Sequence, residues 1–345
     1  MSVYQIDPVQ DPRWGEFLGR HPHASVFDCP AWLEALRRTY DYEPFILTTS
    51  PPGAELTNGL PVCRIRSWLA GHRLVSVPFS DHCEPLGDRP EELYEILSFL
   101  TRQVERGNWR YVEVRPRSCA PLANAFQAIR TYHFHKLDLS PSLEELFRRF
   151  HKASVQRKIR RSEREGLTCE AGASERLLAQ FYHLLRMTRR RHGVPPQPLV
   201  WFRNLIDCLG EKVTIYVASK DGKPIASILT LSFKETVVYK YGGSDARYHN
   251  LGGMPFLFWR TIQEAKNMAF KEFDLGRSDP ENLGLVTFKD HLGASRSALT
   301  YYRYPASKAV RAARDWKLQA AQRMLAHMPD PVLALAGKFL YKHFG

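Results

Sequence analysis

Two six-residue segments constrain the fold more than any other feature of the chain. WRYVEV (109–114) can be laid on FKEFDL (270–275), which puts Glu113 over Asp274, and each segment follows a helix that begins at a proline. The surroundings repeat as well. In the first half FILTTS (45–50), GLPVCRIRSW (59–68) and HRLVSVPF (72–79) read as strands divided by PPGAELTN and LAG turns, and RPEELYEILSFLTRQVERG reads as a helix from Pro90 to Gly107. In the second half VTIYVASKDG and KPIASILTLSF read as a hairpin, ETVVYKYGG as a third strand and GMPFLFWRTIQEAKNMAF as a helix that leads into KEFDLG. The same order twice predicts a duplicated α/β unit.

Between the halves, Leu143, Phe147, Val155 and Ile159 fall at multiples of four, which predicts one helical face along SLEELFRRFHKASVQRKIRRSEREG. Arg157, Arg161 and Arg164 follow i, i+4, i+7 spacing with Lys158 and Arg160 beside them, so their charges gather over two turns. The whole chain of 345 residues carries a formal charge of +13, an excess that favours acidic partners and turns this cluster from a merely solvated face toward phosphate binding.

Several chemistries find no support. There is no GxSxG elbow, no GxxxxGK[ST] loop and no GxGxxG fingerprint, and His133 with His135 lacks a third ligand at metal spacing. The six cysteines contain no CxxC pair and read as thiols. No basic segment followed by an apolar run opens the chain and no apolar stretch reaches bilayer-spanning length, so a cytoplasmic location is expected. A non-enzymatic nucleic-acid-binding protein that uses the basic helix is the alternative from another class, without the three-helix or zinc arrangement that usually accompanies one.

SVQRKIRRSEREGL, YKYGGSDARYHNLGGMPFLFWRTIQEAKNMAFKEFDLGRS and FKDHLGA resemble the Fem-type peptidyltransferases and the related FemAB-like acyltransferases of the GNAT superfamily. The resemblance covers most of residues 30–304. It implies an α/β fold of two tandem GNAT-like domains, which agrees with the duplication. The expected divisions are 1–140 for the first domain, 141–166 for a basic connecting helix, 167–304 for the second domain and 305–345 for a basic amphipathic helical tail. It also implies transfer of an acyl or aminoacyl group from an activated ester to an amine, in cell-envelope or exopolysaccharide biosynthesis. The donor would be acyl-CoA, an acyl carrier protein or aminoacyl-tRNA, and no metal or prosthetic group is implied. Fem-type enzymes often bind tRNA through a long helical insertion, and residues 174–212 are too short for one.

The resemblance implies that Lys289 faces the reaction centre, where an ammonium could stabilise the oxyanion formed as an amine attacks an ester. Asp274, beside Gly276 and Arg277, is either a second catalytic group or a turn carboxylate. Asp81, His82 and Glu84 lie where the family's first domain meets the acceptor; they would bind its amine or sugar hydroxyls, or cap a turn. Gly252 and Gly253 precede a helix, where free amides and the helix dipole suit an anion, although a pair of glycines also suits a tight turn. Tyr241 and Asn250 flank that loop, and with Arg277, Arg157, Lys158, Arg160 and Arg161 they complete the expected substrate-binding set.

The tail has its own pattern. ASKAVRAARDWKLQAAQRMLAHM reads as a basic helix, MPDP breaks it, and PVLALAGKFLYKHFG reads as a second helix with Val332, Leu335, Phe339 and Leu340 on one face and Lys338 and Lys342 on another. Such a helix either lies in a membrane interface or packs on the core. If residues 331–344 touch a membrane, the protein sits at its inner face and the amine acceptor is lipid-linked.

Overall fold

The computed structural model describes residues 2–118, 125–305 and 330–344. The first half supplies β1 (Tyr4–Ile6), β2 (Glu43–Thr48), β3 (Asn58–Ile65), β4 (Arg73–Val75), β5 (Leu86–Gly87), β6 (Val112–Val114) and β7 (Gln127–Asp138). The second supplies β8 (Thr168–Gly172), β9 (Val213–Lys220), β10 (Lys223–Phe233), β11 (Thr236–Ser244), β12 (Glu272–Ser278) and β13 (Ser295–Tyr304). The helices are α1 (Pro12–Arg20), α2 (Pro30–Tyr40), α3 (Pro90–Glu105), α4 (Leu143–Arg149), α5 (Arg157–Arg164), α6 (Glu175–Arg191), α7 (Leu199–Leu209), α8 (Gly253–Asn267), α9 (Leu283–His291) and a C-terminal helix, Asp330–Phe344.

One sheet runs through both halves in the order β1-β2-β3-β4-β6-β13-β7-β12-β11-β10-β9-β8, with β5 attached to β3. The order is symmetric about the central β13–β7 pair. Each half sends its last strand across: β13 of the second half pairs with β6, and β7 of the first pairs with β12. Both halves also hold one parallel pair at the matched place. Val75 of β4 lies opposite Glu113 of β6, and Val238 of β11 lies opposite Asp274 of β12. The two six-residue segments therefore occupy equivalent positions, and the architecture is the tandem α/β one expected.

Local sequence accounts for the elements around the sheet. Pro90 starts α3 with Glu91 and Glu92 in its first turn, and Ile96, Leu97 and Leu100 bury its inner face. Gly252, in the left-handed region at φ 80°, sets the start of α8, whose Phe256, Leu257, Phe258 and Ile262 pack beneath the sheet.

The connecting segment differs from the single helix expected over 141–166. The chain leaves helical geometry at Phe150, passes a π-type turn at Lys152–Gln156 and resumes as α5. Phe150 is buried, edge-on to Trp259 at 5.6 Å. The freed backbone groups find partners: the His151 amide donates to the His291 carbonyl at 2.9 Å, and the Gln156 side chain donates to the Phe150 carbonyl at 2.7 Å. Burying an aromatic ring outweighs a few lost helical bonds when those groups are satisfied elsewhere.

The basic helix expected over 306–328 lies outside the described residues. The C-terminal helix after it packs on the core, with Leu333 1% exposed, and it presents outward most of the apolar face assigned from the sequence. No helix among the described residues is long and apolar enough to cross a membrane.

Candidate functional site

β11 and β12 pair only over Thr236–Val238 and Glu272–Asp274, after which they diverge. The gap opens into a cavity of about 580 Å³ walled by Tyr239, Phe258, Phe288 and Lys289, with Lys158, Arg191, His192 and His249 also lining it. At the matched place in the first half, Arg115 and Arg303 close on the buried Glu113 carboxylate, at 2.9 and 2.7 Å.

Two bulges set which side chains face the divergence. In β11, Tyr239 sits opposite Thr230 and Tyr241 opposite Leu229, which leaves Lys240 as the extra residue. Lys240 thereby turns its ammonium to Asp81, 3.2 Å away. The bulge also sends the two tyrosines to opposite sides. Tyr239 packs on Phe258 at the cavity, whereas Tyr241 enters the other core, where its hydroxyl accepts from Trp201 Nε1 at 2.9 Å. In β12, Asp274 sits opposite Lys136 and Gly276 opposite His135, with Leu275 extra. Gly276 is required twice over: its φ is 71°, and a Cβ there would come within 2.8 Å of Asp81 Oδ2.

The result is a buried cluster of charges drawn from four parts of the chain. Asp81 Oδ1 lies 3.2 Å from Lys240 Nζ and 3.5 Å from Arg277 Nε. Burial alone would raise the Asp81 carboxyl, but Lys240, Arg277 and Lys289 outweigh it and hold it below the usual carboxylate range. The Tyr301 hydroxyl donates to the Asp81 carbonyl at 2.6 Å and accepts from Arg277 at 2.9 Å. Asp274 Oδ1 accepts from the Gly276 amide at 2.6 Å, and Oδ2 lies 3.3 Å from His82 Nε2. Lys289, 1% exposed, donates to the carbonyls of Gly276 and Arg277 at 3.0 and 3.1 Å. Burial pushes its ammonium down to about 8, against the upward pull of Asp81 and Asp274.

Of the residues singled out in the sequence, Asp81, His82, Asp274, Arg277 and Lys289 meet here. Lys158 and Gly253 line the same cavity. Gly252 is needed for packing, since a Cβ would lie 2.6 Å from the Lys158 carbonyl. The others are elsewhere. Arg157, Arg160 and Arg161 are exposed on α5, with Arg160 over the Phe147 ring and Arg161 paired to Glu165. Asn250 is exposed on a 3-10 turn. The Glu84 carboxylate accepts from the amides of Arg117 and Ser118 and fixes that loop instead of reaching the cluster. Tyr241 is a core residue. Tyr241→Phe should therefore cost about 1–2 kcal/mol in urea unfolding, because the indole N–H loses its acceptor, while turnover stays unchanged. A turnover loss without destabilisation would return Tyr241 to the site.

The sequence reading missed Lys240, Tyr301 and Arg191. A bulge leaves no mark in apolar alternation, so nothing flagged Lys240; Arg191 belongs to a run of arginines that ends α6, where its sequence does not set it apart from its neighbours.

Known proteins resemble the chain in the same region and in fold. The acetyltransferase (GNAT) domain family matches residues 149–289. A UDP-N-acetylmuramoylpentapeptide-lysine N(6)-alanyltransferase from Weissella viridescens is 27% identical over 109 residues, a match that spans 31% of this chain and only 29% of that relative. The crystal structure of FemX superposes with a TM-score of 0.69 at 13% identity, covering 88% of this chain and 97% of the other. A C-terminal domain assigned to lysylphosphatidylglycerol synthetase, from Agrobacterium fabrum, superposes at 0.55 with 14% identity, covering 91% and 95%. At these identities the two structural likenesses show the fold.

Proposed function

This chain is a FemAB-like member of the GNAT superfamily with an acyltransferase domain, and from that premise we propose that it moves an acyl or aminoacyl group from an activated ester to the amine of a cell-envelope precursor. The observation that carries the proposal is Lys289. Its ammonium has three N–H donors, two of which are held by backbone carbonyls, and it borders the cavity where β11 and β12 part. The third donor remains for a substrate oxygen.

In this reading the donor's carbonyl carbon lies beside Lys289 and the acceptor amine attacks it. Negative charge develops on the carbonyl oxygen, and the ammonium, in a dry low-dielectric setting, stabilises it more strongly than water would. Collapse of the tetrahedral species expels the donor's hydroxyl or thiol, and the attacking nitrogen loses a proton. The protein forms no covalent bond to the acyl group, so most of the rate comes from alignment. Lys158, Arg191, His192 and His249 suit a donor that carries phosphate near the reacting ester, as tRNA and CoA both do. The name of the alanyltransferase relative supports a peptide-linked lysine amine as acceptor, while that of the synthetase supports only a lipid acceptor, since phosphatidylglycerol offers a hydroxyl and no amine.

The direct test incubates the protein with charged tRNA or acyl-CoA and acceptors of both kinds, and reads amide or ester formation by mass spectrometry. Absence of transfer with every donor, alongside tight binding to uncharged nucleic acid, would sink the proposal. A finer test uses the arm. Because Lys158 lines the cavity while Arg157, Arg160 and Arg161 do not, Lys158→Gln should weaken donor binding roughly tenfold, and the other three changes together about twofold or less. Equal effects would mean that the arm acts only as a diffuse positive surface.

A further inference from the structure

Five of the ten large apolar side chains that stand exposed among the described residues gather in one place: Trp68, Leu69, Val332, Leu335 and Phe339. Trp68 is 77% exposed and Leu335 is 68% exposed, and the Trp68 ring lies 6.1 Å from that of Phe339. The patch is permanent, because the C-terminal helix is fixed through its opposite face. Tyr42 donates to the Tyr341 carbonyl at 2.6 Å, Arg73 donates to the His343 carbonyl at 2.6 Å, and the Tyr341 hydroxyl donates to the Pro195 carbonyl at 3.1 Å. Gly337 lets the helix approach so closely that a Cβ would meet the Pro196 carbonyl at 2.0 Å. Both halves of the molecule thus hold the helix, and rotation that would hide Leu335 is blocked.

Cations border the apolar residues. Lys338 and Lys342 stand on the same exposed side of the helix, and Arg66 and Arg110 stand beside the Trp68 turn; Asp41 and Glu43 are the carboxylates that pair with Lys342 and Arg66. We propose that this face seats on an anionic lipid bilayer, with Trp68, Leu335 and Phe339 at headgroup depth and the lysines against lipid phosphates. Exposed aromatic and aliphatic side chains beside lysines are what an interfacial surface requires. A second copy of this chain fits poorly, since a two-fold contact through the patch would set like cations against each other.

The docking is independent of the chemistry at Lys289, but it bears on it. Tyr341 packs edge-on against Phe79 at 5.6 Å, two residues before Asp81, so a protein seated here holds the loop with Asp81 at a fixed height above the lipid.

The test is co-sedimentation of the full chain with vesicles of phosphatidylcholine alone or mixed with phosphatidylglycerol. The protein should pellet with the mixed vesicles and much less with the neutral ones. Trp68→Ser combined with Leu335→Ser should weaken partitioning roughly tenfold or more at an unchanged melting temperature, because both side chains are already in water. Indifference to both vesicle types would overturn the proposal, as would undiminished binding by the double variant. So would sedimentation velocity that shows a dimer of the native chain and a monomer of the variant.

Discussion

Lys289→Met is expected to lower turnover about ten- to a thousandfold while substrate binding shifts about threefold or less, the split that marks an interaction made chiefly in the transition state. Methionine matches the length of lysine without its charge, so the α9 helix should stay in place and the variant should melt cooperatively. Arginine should not rescue, because a planar fork does not fit two carbonyls and a substrate oxygen in a buried pocket. The pH profile adds a second reading. The ammonium is held down to about 8, so below that pH it is charged, and as pH rises through that value its charge is lost. The acceptor amine titrates in the opposite sense, since only its neutral form attacks, so the profile rises to about 8, levels off while the two changes offset each other, and falls once the amine is largely neutral, an alkaline limb that exists only because Lys289 loses its charge. Loss of that limb in a residually active Met variant would confirm the assignment. Native turnover, or persistence of the limb, would remove Lys289 from the mechanism.

Asp81→Asn should destabilise the protein by about 3–5 kcal/mol in urea unfolding, because it leaves the buried Lys240 and the half-buried Arg277 without their common carboxylate. Side-chain exposures of 12% for Asp81 and 6% for Lys240 leave water little chance to compensate. Replacing both partners, Asp81→Asn with Lys240→Met, should recover much of the loss, since the uncompensated charge goes with its partner. The sign with pH follows from the lowered carboxyl. Asp81 contributes fully above its unfolded value near 4 and loses that contribution as pH falls through its lower folded value, so native and Asn chains should converge in acid. A single-variant cost under about 1 kcal/mol, or a double variant no better than the single, would mean that the cluster is solvated and its charges independent.

The sequence disclosed features that local chemistry dictates. Pro90 and the acidic first turn gave α3, the divided apolar runs gave the β9–β10 hairpin, and WRYVEV over FKEFDL disclosed the duplication. Features set by distant parts of the chain were not legible. The helix break at Phe150 depends on Trp259 and on the His291 carbonyl, more than a hundred residues away. Lys240 reaches Asp81 only because β11 bulges, and the same bulge turns Tyr241, which flanks the glycine loop in sequence, into the other core. Lys289 looked like any surface lysine by spacing and was found through family position. Its burial beneath two carbonyls is the reason that position matters.

The exchanged strands have a consequence for how the chain is made. β6 emerges from the ribosome early, yet its inner neighbour β13 is the last of the described strands to be synthesised. Throughout translation of the second half the nascent first half waits with an unpaired edge, the kind of surface that recruits other strands. β7 has the mirror problem: it is complete before its partner β12 exists. Neither half is a module that can finish on its own and wait. The two must close together in one late step built from contacts far apart in sequence, which makes closure slow and favours a cell that shields the nascent chain until Tyr304 has appeared.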